Sequence, residues 1–327
     1  MISIVTGATG CLGLNLTKRL ISAGHEVIAL GRNKHLGKVV SQLGANFVVL
    51  DLQEQTRLKT ITQKADFIFH CAALSSPWGR YNDFYQANVL GTQNIIEATP
   101  SHTRLIHVSS PSIYFDFTEK HDIKEDSPLP TKTANHYIKT KLMAEQLIEK
   151  AFKEKNLNVV VLRPRAIFGP YDRSIIPRLL QTEKNGLLPV IGSGENLIDI
   201  TYVDNVVESL LLAASANDSV RGKKYNITND DPKTLKNILS MIFRALDKPL
   251  KMKHISYSTV NALAFCLEKI YSTVLFNKEP PVTRYSAGVL ALGQTLNIDA
   301  AKRDLHYKPI KSIEQGMNEY AAWYKSL

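Results

Sequence analysis

Tyr137 and Lys141 stand four residues apart in Tyr137-Ile138-Lys139-Thr140-Lys141, so within a helix both side chains project from one face. An ammonium beside a phenol stabilises phenolate and lowers the tyrosine pKa, which makes Tyr137 a usable proton donor or acceptor. The spacing alone is weak evidence. Tyr307 and Lys311 repeat it, although Pro309 between them spoils the helix. Ser110 lies in Val108-Ser109-Ser110-Pro111-Ser112-Ile113-Tyr114, just after an apolar run, where a hydroxyl can hold a carbonyl oxygen. A turn-forming or capping serine is the competing reading. Thr6-Gly7-Ala8-Thr9-Gly10-Cys11-Leu12-Gly13 follows a strand pattern and opens a helical one, the context in which such glycines bind a dinucleotide. Gly7 allows the tight turn, Gly10 the approach of a pyrophosphate, and Gly13 close packing of helix on strand. Thr9, Cys11 and Leu12 complete the loop, and phosphate charge would rest on the amides of the helix N-terminus. Arg32 stands at the end of the second strand pattern, where an acidic residue would bind ribose hydroxyls. A guanidinium suits a ribose 2′-phosphate, with Asn33 or Lys34 as helpers. The expectation is NADP(H) over NAD(H), a solvated surface arginine being the alternative.

Positioning these groups requires a frame. The first half alternates short β-branched runs with longer helical stretches, which implies crossover connections and a parallel sheet covered on both faces. Candidate strands are residues 2–6, 27–30, 46–50, 66–70, 104–108 and 158–162, and candidate helices 12–23, 83–98 and 134–155. The expected fold is therefore α/β, a doubly wound parallel sheet of Rossmann type with a smaller C-terminal substrate domain. Beyond Gly169-Pro170 the alternation weakens and prolines punctuate shorter segments. We expect a dinucleotide-binding domain over 1–170 and a substrate-binding domain over 171–327, with parts of the chain returning to the first.

Composition narrows the class. With 327 residues, 44% hydrophobic and 21% charged, the chain can bury a sizeable core. Cys11, Cys71 and Cys266 lack CxxC spacing and a matched histidine cluster, so neither a metal site nor a disulfide framework is expected. The formal charge of +10 comes from scattered lysines and arginines, which argues against nucleic acid and for anionic ligands. The apolar run from Ile255 stops at Glu268 and Lys269, too short to span a bilayer. Met1 to Val5 carries no basic leader pattern, so a cytoplasmic protein is expected.

Taken together, TGATGCLG, HCAA at His70–Ala73, NVLGTQN at Asn88–Asn94, SSPSIY, YIKTK and LRPRAIFGP resemble the extended short-chain dehydrogenase/reductase family, with features that include the NAD-dependent epimerase/dehydratases. The resemblance implies Ser110, Tyr137 and Lys141 as catalytic triad and Asn88 as its usual fourth member. It also implies Asp51 and Leu52 beside adenine, Cys71, Ala72 and Ala73 in the loop over the ribose, Lys141 on the ribose, and Pro164 to Ile167 as nicotinamide wall. Arg32 departs from the sugar-nucleotide epimerases. SSPWGRYNDFYQANVLGTQN, Asp199-Ile200-Thr201-Tyr202-Val203-Asp204-Asn205-Val206 and Glu279–Tyr285 look most like the 3β-hydroxysteroid dehydrogenase-like branch, which includes 2-alkyl-3-oxoalkanoate reductases.

That branch implies hydride transfer between nicotinamide and a keto or hydroxy carbon of a small apolar 3-oxo or 3-hydroxy substrate, acyl or steroid-like. One alternative is a nucleotide-sugar epimerase or dehydratase with tightly bound NAD; another is a non-catalytic NADP(H)-sensing protein, which commonly lacks the tyrosine or lysine. Tyr257, Leu263, Phe265, Leu267, Ile270, Tyr271, Val274, Leu275 and Phe276 form an apolar, aromatic stretch. It is expected either in the core, as a pocket wall, or resting peripherally on a membrane. An acidic substrate would find Arg178 or Arg284. The sequence leaves the oligomeric state open, a homodimer among the options.

Overall fold

The computed structural model describes residues 1–275 and 278–327; Phe276 of the apolar stretch lies outside them. Seven parallel strands form the main sheet: β1 (Ile2–Thr6), β2 (Glu26–Gly31), β3 (Asn46–Val49), β4 (Phe67–His70), β5 (Arg104–Val108), β6 (Val159–Pro164) and β7 (Lys224–Ile227). They are ordered β7-β6-β5-β4-β1-β2-β3, the doubly wound arrangement expected. Strand β6, Val-Val-Val-Leu-Arg-Pro, is buried at every position, as a strand covered on both faces requires. The order reverses between β1 and β4, and at that switch point a crevice opens beyond the carboxyl ends of the strands.

Two large apolar clusters cover the two faces. One joins Leu14, Val160, Val206, Leu210, Tyr225 and Ile238, and the other Ile4, Ile68, Leu105 and Ile148. A third gathers Ile113, Phe115, Ile138 and Leu296, with Tyr137 and Tyr285 packed against it. This cluster seats Tyr137 near a four-stranded sheet made of Lys233–Thr234, Leu197–Ile198, Gln294–Leu296 and Lys120–Ile123.

Three local departures from the sequence expectation have physical causes. Strand β7 was not expected at all: Lys-Tyr-Asn-Ile alternates but is only four residues long, and it forms by pairing with β6. The helix expected over 134–155 begins at His136, because the Asn135 carboxamide oxygen accepts from the Ile138 amide at 2.9 Å and caps it. The helix expected over 83–98 begins at Tyr81 and contains one widened π turn, Tyr85–Leu90. Such turns commonly mark functional positions, and this one contains Asn88.

Candidate active site

The chain after β1 turns at Gly7, whose φ is +67°, a conformation that glycine adopts without steric cost. The Gly10 amide donates to the Gly7 carbonyl at 2.9 Å. A Cβ on Gly13 would sit 2.8 Å from the Ala8 Cα and closer still to the Gly7 oxygen, so only glycine lets the helix Cys11–Ser22 lie this close to the turn. A Cβ on Gly10, by contrast, would meet only the Gly7 oxygen, at 3.3 Å. Its open side, and a helix start with neither side-chain cap nor acidic residue in the first turn, fit an anion such as a pyrophosphate.

A cleft of about 640 Å³ opens there. Gly7, Thr9, Gly10, Arg32, Asp51, Leu52, Cys71, Ala72 and Ala73 all line it. Cys11, Leu12, Gly13, Lys141, Pro164 and Ile167 do not. Leu12 and Gly13 are buried beneath the turn, and the Cys11 thiol donates to the Pro170 carbonyl at 3.4 Å. Pro164 ends β6, and Ile167 pairs with Thr201. Arg32 is largely exposed and lies 3.5 Å from the Asp51 carboxylate. Asn33 is engaged as a helix cap, accepting from the Leu36 amide at 3.1 Å, and Lys34 is exposed. Sequence reasoning missed Arg173, an exposed residue that also lines the cleft.

Behind the cleft stand the residues expected from the sequence to move the proton. Lys141 is buried, and its ammonium donates to the Val108 carbonyl at 2.8 Å. Burial lowers it to about 8, with the Glu145 carboxylate and Cys71 opposing. Glu145, one helical turn on and buried, is held by the Arg163 guanidinium at 2.9 Å and accepts from the Ser109 hydroxyl. Spacing along one helix face relates Glu145 to Lys141, but nothing in the sequence alone tells that Arg163 would meet it.

Tyr137 is half-buried on the same helix. Burial pushes its phenol up; hydrogen bonding with Ser110 and Ser75 opposes this, while Tyr285 adds to it. The expected lowering by Lys141 is therefore corrected: desolvation dominates, and Lys141, whose ammonium donates to Val108, is not among the groups that shift the phenol. Ser110 is buried at the start of a short turn, Pro111–Tyr114, accepting from the Ser112 amide at 3.2 Å and donating to the Ser112 hydroxyl at 2.9 Å. It is thus a capping serine that also touches the phenol. Asn88 is buried, and both hydrogens of its amide are used, toward the Leu74 carbonyl at 3.1 Å and the Thr140 hydroxyl at 3.0 Å. Its oxygen accepts from the Leu74 amide at 2.7 Å, so Asn88 ties the loop over the cleft to the helix of Tyr137.

The apolar stretch forms a helix, Tyr257–Thr273, in which only Val260 and Ala264 are buried. Leu263, Phe265 and Ile270 are about half exposed, and Val274 is 71% exposed, so these side chains fill no core. The same helix contributes Glu268 to a second hollow of about 500 Å³, together with Asp116, Phe117, Arg284 and residues 130–134. Among the described residues, no helix is long and apolar enough to cross a membrane.

A glycine turn at the switch point, a Tyr137–Ser110 pair and a buried lysine one turn on define a dinucleotide-dependent short-chain dehydrogenase/reductase of the extended type. The chain belongs to the NAD dependent epimerase/dehydratase family, which matches residues 3–228. It is similar to 2-alkyl-3-oxoalkanoate reductase of Stenotrophomonas maltophilia (strain K279a), at 32% identity over 98% of each chain. It is also similar to the decarboxylating sterol-4-alpha-carboxylate 3-dehydrogenase of Mus musculus, at 29% identity over 96% of this chain and 88% of the relative. UDP-glucuronic acid 4-epimerase from Bacillus cereus, solved with NAD, shares the fold with a TM-score of 0.78 at 22% identity, over 100% of this chain and 99% of that one. The protein is thus an NAD(P)-dependent oxidoreductase acting on a CH–OH donor or the matching carbonyl.

Proposed function

We propose that the protein is an NADP(H)-dependent reductase of an apolar 3-oxo compound, acyl or steroid-like, working in reverse as a 3-hydroxy dehydrogenase. The observation that carries the reading is Tyr137: a phenol raised by burial keeps its proton at neutral pH, as a general acid for carbonyl reduction requires. The glycine turn, Asp51, Leu52 and the loop Cys71–Ala73 would hold the dinucleotide, which when bound supplies the hydride. Ser110 holds the carbonyl oxygen and Tyr137 hands it a proton. Lys141 orders the ribose, and its ammonium offsets the negative charge left on the phenolate once the proton leaves. Asn88 positions the loop over the cleft. The names of the relatives support the substrate class, since both describe a carboxylate two bonds from the reacting carbon.

Arg32 supports the 2′-phosphate form of the cofactor, because it lies at the cleft rim with only an exposed carboxylate for company. Wild-type protein should bind NADPH more tightly than NADH, and Arg32→Asp should reverse the order. Titration of both cofactors by intrinsic fluorescence checks this, and equal wild-type affinities would remove Arg32 from the phosphate site. For the substrate, NADPH oxidation is followed with 2-alkyl-3-oxo acids and esters and 3-oxosteroids beside UDP- and dTDP-sugars. Turnover of the first group is expected; turnover confined to the sugars would promote the epimerase.

A further inference from the structure

Two buried arginines sit two residues apart where β6 ends, and they have opposite surroundings. The Arg163 guanidinium is saturated. It donates to both Glu145 oxygens, to the Tyr114 hydroxyl and, at 3.1 Å, to the Glu125 carbonyl. Arg165 is only 6% exposed, yet its Nε is sealed from solvent without a partner, and its guanidinium makes no hydrogen bond or ion pair among the described residues. Guanidinium does not give up its proton in proteins, so a positive charge with no hydrogen-bonded partner is held in a largely buried place. Structural arginines in such places are paired, as Arg163 is; an unpaired one at the ligand edge of a doubly wound sheet points to an anion that arrives from outside.

The backbone holds this charge firmly. The Arg165 amide donates to the Ile227 carbonyl at 3.0 Å, and its carbonyl accepts from the Thr201 hydroxyl at 2.5 Å. Ala166 follows with φ +43°, a left-handed conformation that is rare for a residue with a side chain and concentrates at ligand sites. Tyr285 connects Arg165 to the chemistry. Its hydroxyl donates to the Ser112 hydroxyl at 3.1 Å, which in turn accepts from Ser110 at 2.9 Å. Arg165 is near enough to hold down both the Tyr285 phenol and the Asp199 carboxyl against burial. The arginines expected from the sequence to meet an acid are committed elsewhere. Arg178 pairs with Glu279 at 2.7 Å, and Arg284 donates to Asn261 at 3.3 Å and lies over Phe117 and Phe265.

We propose that Arg165, seconded by Tyr285, is the specificity-determining residue that binds a carboxylate two bonds from the reacting carbon, so that the enzyme takes its substrate as the 3-oxo or 3-hydroxy acid anion. The inference rests on the proposed reductase function and narrows it. A planar guanidinium receives a carboxylate through two parallel hydrogen bonds, and this anchor fixes which face of the carbonyl meets Ser110 and Tyr137.

The test measures oxidation of a 2-alkyl-3-hydroxyalkanoate and of its methyl ester with NADP⁺, in wild type, Arg165→Met and Arg165→Lys, together with melting temperatures. Wild type should favour the acid over the ester by roughly a hundredfold in kcat/KM, as expected of a desolvated charge pair. Arg165→Met should collapse that ratio, mainly through KM of the acid, and Arg165→Lys should restore part of it. Because the guanidinium makes no hydrogen bond or ion pair in the free protein, with only the Asp199 carboxyl as a neighbouring charge, Arg165→Met should melt close to wild type. A wild type indifferent to acid or ester, or an Arg165→Met variant that keeps the ratio while melting lower, would overturn the anchor and leave the reductase standing. Failure of acid and ester alike in wild type, with turnover of nucleotide sugars, would overturn both.

Discussion

Burial moves Tyr137 and Lys141 in opposite directions, and their division of labour follows from that. A dry phenol holds its proton and a dry ammonium gives its up more readily. Tyr137→Phe keeps the ring and loses only the hydroxyl. Its kcat should fall by at least roughly a hundredfold, the loss expected of a general acid, with dinucleotide affinity unchanged by fluorescence titration. A near wild-type kcat on the true substrate would acquit the residue. Lys141 makes a prediction about stability. Its pKa is lowered from the usual 10.5 to about 8 in the fold, so between those values the unfolded chain holds a proton that the folded chain has lost. Raising pH through this window therefore stabilises the fold. The gain is on the order of 3 kcal/mol, at about 1.4 kcal/mol per pH unit. Urea denaturation of wild type and Lys141→Met at pH 8 and above pH 10 should show the wild type gaining relative to the variant, and a constant difference would refute the shift.

Turns at element boundaries do most of the positioning. The first helix can approach β1 only because Gly13 has no side chain. Gly13→Ala should push the helix off the sheet, cost about 2–3 kcal/mol as overpacking against backbone does, and weaken dinucleotide binding along with stability. Urea unfolding and cofactor titration of the variant check both, and wild-type behaviour in both would show that the close approach is dispensable. The π turn Tyr85–Leu90 plays a comparable part at the other wall of the cleft, presenting Asn88 to Leu74 and Thr140 at once. Neither helical periodicity nor residue type announces such a turn, since it shows only when a loop and a helix must be met by one amide.

Contacts between distant parts of the chain complete the molecule. Strand β7 seals the edge of β6, and the helix Val203–Ser215 packs on Cys11–Ser22 within the cluster of Leu14, Val206 and Leu210. A fragment ending at residue 170 would expose the hydrogen-bonding edge of β6 and the apolar face of the first helix. It should aggregate and show no cooperative thermal transition by circular dichroism. A sharp transition from a monomeric fragment would show that the dinucleotide half folds alone.

The sequence by itself determined the architecture and pointed to the candidate reacting groups, because both rest on local rules. Strand runs separated by helical runs imply a parallel sheet, glycines between strand and helix imply a phosphate turn, and Tyr137 and Lys141 share a face through spacing alone. What only the tertiary structure decided are environments, which depend on residues far apart in the chain. Leu-Arg-Pro-Arg-Ala reads as two similar arginines, but Arg163 meets Glu145, eighteen residues away and buried with it, whereas Arg165 makes no ion pair among the described residues and has the Asp199 carboxyl only as a neighbouring charge. The sign of the Tyr137 shift likewise follows from desolvation and from where the Lys141 ammonium points. Charge and proton affinity are set by what surrounds a side chain once it is buried, and burial belongs to the folded whole.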